Sequence, residues 1–207
     1  MKLKITLKVL LALFACAFCP PLWAEGEYSR LPTVYGEVGI GLAGGYKSTG
    51  PAFTMRGVRK LGMYDLSLGY LNLYGMKAEG LRSDGASLPT INIEAQRVFI
   101  VQQGVELSLG GGVGFTMPNL ASGYNEHADN GMSFTAIGSF TKPLSPHYAL
   151  SLSIRGFFFG TDSQLTTYGS HIETLSTGQD VEVLDVFHQD NRLDFNSVLF
   201  LVTLRMG

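Results

Sequence analysis

A side-chain nucleophile that cleaves or transfers acyl groups needs a serine, a histidine base and an orienting acid within hydrogen-bond reach. The chain offers His127, His147, His171 and His188, and all four fall in segments read as loops or turns. Ser170-His171-Ile172-Glu173 holds the right residue types, but neighbours in an extended segment point to opposite faces. Asp162-Ser163 has no convincing histidine partner and reads as a turn. Asp180, Glu182, Asp185, Asp190 and Asp194, with His188 among them, supply hard oxygen ligands of the kind Ca²⁺ or Mg²⁺ takes. The D-x-D-x-D-G spacing is absent, so the run reads as a solvated acidic loop. Gly110-Gly111-Gly112 lies inside a strand pattern and thins a wall instead of cradling a phosphate. No Cys or His cluster suits zinc. No catalytic residue, metal or cofactor is therefore assigned.

A different chemistry is written into the extended segments. Glu37, Arg56, Asp65, Glu94, Glu106, Arg155 and Arg205 sit at alternating positions whose neighbours are apolar. Val34, Gly36, Val38, Ile40 and Leu42 fall on one face of the first segment, and Tyr35, Glu37, Gly39, Gly41 and Ala43 on the other. The same period of two runs through Tyr64–Tyr70, Ile91–Gln96, Val105–Phe115, Met132–Thr141 and Tyr148–Phe158. Segments 52–60 and about 195–206 are less regular. In the last, Val198, Phe200, Val202, Leu204 and Met206 share the apolar face, which turns Leu199 and Leu201 inward.

The two faces decide the class. One is bulky and carries almost no charge; the other is Gly, Ser, Thr and a few carboxylates and arginines. A soluble barrel or a two-sheet sandwich would carry Lys and Glu on its outside, and that face is missing. Apolar outward and small or polar inward is the pattern of a transmembrane barrel. Composition agrees: charged residues are 15% of 207, against roughly 25% in soluble domains, and mean hydropathy is +0.17. A formal charge of −2 leaves no basic footprint for nucleic acid.

Connections from residue 33 are expected to alternate long and short, at about 44–51, 61–62, 75–89, 100–104, 116–131, 142–147 and 161–192. That gives eight strands of about the length a tilted crossing needs, with both ends on the short-turn, periplasmic side. The loop at 161–192 sets six acids against Arg192 alone. Over an anionic lipid surface such charge repels unless divalent cations bridge it, so the loop is expected to rise clear as an extended hairpin through Gln164 to Thr174.

Residues 1–24 read as an export signal. Lys2, Lys4 and Lys8 precede an apolar stretch, Val9–Phe18, and Leu22-Trp23-Ala24 supplies the cleavage pattern. The alternative of a lipoprotein box at Leu13-Phe14-Ala15-Cys16 suffers from bulky Phe14. Cleavage after Ala24 removes three lysines and no acid, moving the formal charge from −2 to −5. It also removes Cys16 and Cys19, leaving residues 25–207 without disulfides.

The signal, the alternating strands and the final Phe200-x-Val202-x-Leu204-x-Met206 strand resemble the small eight-stranded outer-membrane barrels, the OmpA/OmpX-like and OmpW-like proteins. The resemblance is architectural. It implies an all-β, eight-stranded antiparallel up-and-down barrel in a Gram-negative outer membrane. It further implies contact with outer-membrane lipids and lipopolysaccharide, insertion by the barrel assembly machinery, and a monomer. Such barrels usually end on an aromatic residue, whereas this one ends Arg205-Met206-Gly207. The His-x-Ser strand spacing of the lipid A deacylases and the outer-membrane phospholipase is absent. The leading reading is thus a non-enzymatic barrel, structural or surface-interacting. A lipid-modifying acyl hydrolase or acyltransferase and a small channel for apolar molecules are the alternatives.

An eight-stranded barrel is only just wide enough for side chains. The seven inward charges must then meet one another. Four acids and three arginines are expected to plug the lumen, with Glu37, Arg56, Asp65, Glu106 and Arg205 toward the periplasmic half.

Overall fold

A computed structural model describes residues 33–100, 105–121, 126–174 and 179–207. The signal segment 1–24, the turn at 101–104 and the tip of the last loop lie outside the described residues. The described chain holds β1 (Val34–Gly45), β2 (Ser48–Leu61), β3 (Tyr64–Met76), β4 (Ala86–Ile100), β5 (Glu106–Thr116), β6 (Asn119–Leu120), β7 (Glu126–Ala128), β8 (Gly131–Pro143), β9 (Tyr148–Thr174), β10 (Asp180–Asp194) and β11 (Ser197–Met206).

Antiparallel pairing runs β1-β2-β3-β4-β5-β8-β9-β11 and closes when β11 pairs with β1, from Gly36↔Met206 to Gly44↔Val198. The fold is an eight-stranded antiparallel barrel, and closure leaves no unpaired edge in the wall. Val34, the turn after Leu61, the segment 144–147 and Gly207 share one rim. The longer connections share the other.

Alternation places side chains as the period of two requires. Val38, Ile40, Leu42, Leu68, Ile93, Leu152, Phe200 and Val202 are exposed on the outer wall, while Glu37, Arg56, Glu94, Ser153 and Arg155 are buried inside. Glycine lets the wall curve tightly. A Cβ on Gly41 would stand 1.9 Å from the Phe200 backbone oxygen, and one on Gly110 would stand 2.1 Å from that of Ala95.

The first connection corrects the expectation of a long loop at 44–51. Gly45 pairs with Ser48 across Tyr46-Lys47 alone, with Lys47 in the left-handed region at φ 47°. Gly50 and Pro51, which read as loop residues, are part of β2. The last connection is the extended hairpin. β9 continues past the barrel and pairs with β10 in unbroken register from Gly160↔Asp194 to Thr174↔Asp180. Between these extremes, β6 pairs with β4 and β7 with β9, which brings 119–120 and 126–128 to the long-loop mouth.

Candidate functional site: the barrel lumen

The lumen has two storeys. Near the short-turn rim and up to mid-height it is ionic. Glu94 Oε1 meets Arg155 Nη1 at 2.7 Å and Glu94 Oε2 meets Arg56 Nη1 at 2.6 Å. Arg56 Nε pairs with Glu37 Oε2, and Glu37 Oε1 is in ion contact with Arg205 Nε. Glu106 Oε2 receives Arg205 Nη1 at 3.1 Å, and Glu106 Oε1 receives Lys60 Nζ at 2.7 Å. The result is one unbranched ladder, Arg155–Glu94–Arg56–Glu37–Arg205–Glu106–Lys60, in which every glutamate oxygen faces a cation. Charge-assisted contacts of this kind are the strong class of hydrogen bond. Asn92 Nδ2 adds a bond to Glu94 Oε1 at 2.6 Å.

Six of the seven charges singled out in the sequence thus stand in one ladder. Asp65 does not join it by an ion pair. It points inward, but the Tyr35 hydroxyl donates to its Oδ2 at 2.6 Å, and the Tyr35 ring lies 5.0 Å from the Arg205 guanidinium. Tyr35 therefore links Asp65 to the ladder's edge.

Sequence reasoning missed Lys60, the last residue of the segment 52–60, as a lumen charge. β2 runs one residue further, to Leu61, so Lys60 shares the inward parity of Arg56 and Val58. That parity was the available signal. Lys60 also corrects the charge count, because four cations now face Glu37, Asp65, Glu94 and Glu106.

The upper storey is apolar. Leu71, Leu73, Met76, Phe157, Phe159, Leu193, Phe195, Leu199 and Leu201 form one buried cluster with small alanines. The rings of Phe159 and Phe195 stack at 6.2 Å. The inward Leu199 and Leu201 belong here. Glu126 fastens the lid above: its Oε2 accepts from the backbone N–H of Arg82 and of Ser83, each at 3.1 Å. One carboxylate so ties the 77–85 connection to β7.

The residues weighed for other chemistry are spread out. Ser163 is buried and donates to the Asn191 carbonyl at 3.5 Å. His171 lies eight residues further along the same strand, about 26 Å at 3.3 Å per residue, and its Nδ1 pairs with Asp185 Oδ2 at 2.7 Å. Asp180, Glu182, Asp185, Asp190 and Asp194 are strung along β10. Among the described residues, no three His, Cys, Asp or Glu gather as metal ligands.

No protein-family model matches the chain, and no curated protein matches it. Solved structures do. Neisserial surface protein A is similar with a TM-score of 0.55 and 13% identity over 84% of this chain and 94% of that one. Outer membrane protein AlkL follows at a TM-score of 0.48 and 9% identity, covering 91% and 96%. A major outer membrane protein from Thermus thermophilus follows at 0.39 and 12%, covering 84% and 100%. At these identities the likeness is one of fold. The closed ring, together with the likeness to the neisserial protein, gives the chain the fold of a small eight-stranded antiparallel barrel.

Proposed function

We propose that the protein is a non-enzymatic outer-membrane barrel whose lumen is closed and whose outward role belongs to its long-loop side, chiefly the β9–β10 hairpin. The observation that carries this reading is the filled interior. Among the described residues, none of Glu37, Arg56, Asp65, Glu94, Glu106, Arg155 and Arg205 is more than 5% exposed, which supports a filled interior. Above them lie the buried phenylalanine cluster and β7, which Glu126 ties to the 77–85 connection. A channel for apolar molecules would require that packed storey to open.

The outer wall is apolar at mid-height, with outward Arg59 and Lys142 near the short-turn rim, which supports a lipid environment, since lipid-facing charges are destabilising at mid-bilayer. The proposal includes export by residues 1–24, insertion by the barrel assembly machinery, contact with outer-membrane lipids and lipopolysaccharide, and a monomeric barrel.

Cysteine labelling on intact cells tests the orientation, because residues 25–207 contain no cysteine. Leu184→Cys on the hairpin is expected to react with a membrane-impermeant maleimide. Leu144→Cys on the short-turn rim is expected to react only after the outer membrane is broken. The reverse pattern, or equal labelling, overturns the reading.

A further inference from the structure

Strand β10 pairs with β9 on one side, and among the described residues no strand covers its other side. At the base of the hairpin Gly80 sits beside Asn191 and Leu193, which leaves Asp180 to Asp190 as the open run. Such edges are usually blunted by Pro, Lys, a bulge, short length or a covering loop. This run, Asp-Val-Glu-Val-Leu-Asp-Val-Phe-His-Gln-Asp, has no Pro, Gly or Lys, and its register with β9 is unbroken. What remains is negative charge: Asp180, Glu182, Asp185 and Asp190, with neither Lys nor Arg in the run.

That charge is selective. Two copies of β10 laid edge to edge would bring a run of acids against a run of acids, and like charges across a strand pair are unfavourable. An anionic lipid surface is repelled in the same way. A cationic strand gains what those two lose. It would also cover apolar surface on both faces of the hairpin. Leu184 and Val186 lie across from Ser170 and Tyr168 on one face, Phe187 and Val181 lie on the other, and these four are exposed.

We infer that the free edge of β10 is a strand-pairing site for an extended, cationic segment of a partner protein, with apolar residues interspersed among its Lys and Arg. Main-chain hydrogen bonds along the edge would supply affinity and the acids would supply selectivity, the general logic of strand addition. The inference rests on the reading that the hairpin is presented outside the membrane.

The test uses the full chain in lipid nanodiscs and three fluorescent peptides of about ten residues, a usual strand length. One alternates Lys and Val, one alternates Glu and Val, and one is the Lys/Val peptide with a central Pro. The Lys/Val peptide is expected to bind about tenfold or more tightly than either other peptide, a difference of about 1.4 kcal/mol or greater. It should weaken with salt and slow amide exchange within 180–190. Glu182→Lys with Asp185→Lys, checked for folding by its mobility on unheated gels, should shift the preference toward the Glu/Val peptide. Equal binding of the Pro peptide, or binding without slowed exchange, overturns the inference in favour of loose charge attraction. Self-association through β10 overturns it in favour of a second copy. Maleimide labelling of Leu184→Cys on cells is read separately, so a failure of presentation is distinguishable from a failure of pairing.

Discussion

Arg56→Ala removes an inner rung of the ladder, the cation between Glu94 and Glu37. Its Nε serves Glu37 and its Nη1 lies 2.6 Å from Glu94 Oε2, and both glutamates are 1% exposed. The variant leaves one oxygen of each carboxylate without its cation where water does not reach. Each glutamate keeps a second partner, Arg205 for Glu37 and Arg155 for Glu94. The loss is therefore nearer to one broken buried pair than to two, on the order of 3–5 kcal/mol. At about 2–4 °C per kcal/mol for a domain of this size, the melting point should fall by roughly 6–20 °C. The one tryptophan, Trp23, lies in the segment read as the export signal. Far-UV circular dichroism in detergent or lipid is therefore the appropriate readout. Arg56→Met should lose a similar amount, because volume is largely restored and pairing is not. Exposed Glu79→Ala is the control and should stay within about 0.5 kcal/mol. If Arg56→Ala melts no lower than Glu79→Ala, the ladder does not hold the barrel together and the reasoning fails.

The ladder's ends should differ. Glu94→Gln strips Arg155 of its carboxylate and halves the pairing of Arg56, whereas Lys60→Met leaves Glu106 with Arg205 and removes an ammonium whose side chain is 10% exposed. Chemical denaturation should therefore rank Glu94→Gln well below Lys60→Met in stability. Phe159→Ala opens a hole in the apolar storey and should cost about 3–5 kcal/mol by the same measurement. Glu126→Ala should speed amide exchange at Arg82 and Ser83 while changing the barrel's melting point little, since the bonds it removes tie connections and not wall strands.

Much of this architecture was legible in one dimension, for a physical reason. Lipid outside and a narrow interior impose opposite demands on alternate residues, so the period of two along Val34–Leu42 or Tyr148–Ile154 stands out without any alignment. The inward parity of Glu37, Arg56, Glu94, Arg155 and Arg205 came with it. Partner choice did not. Lys60 and Asp65 lie opposite each other across β2 and β3, yet Lys60 reaches Glu106 and Asp65 takes Tyr35, because the lumen lets side chains cross between strands distant in sequence. The period through Tyr148–Phe158 turned Phe158 outward, but it did not show that Phe157 and Phe159 would gather inside with Leu71, Leu73, Phe195 and Leu199 from other strands. The tight turn at Tyr46-Lys47 was hidden for another reason. Glycines and Pro51 around it read as loop, while the turn itself lacks the Asn-Gly or Asp-Gly signal of a two-residue hairpin.

The central claim is that the barrel is closed by its own side chains, ionic below and apolar above. Planar-bilayer recording of the unmodified, folded chain tests it most directly. A membrane holding the protein is predicted to show no steady conductance above that of the bare bilayer. A large, stable conductance would mean that ions pass the Glu37–Arg56–Glu94 level, and would contradict the closed lumen.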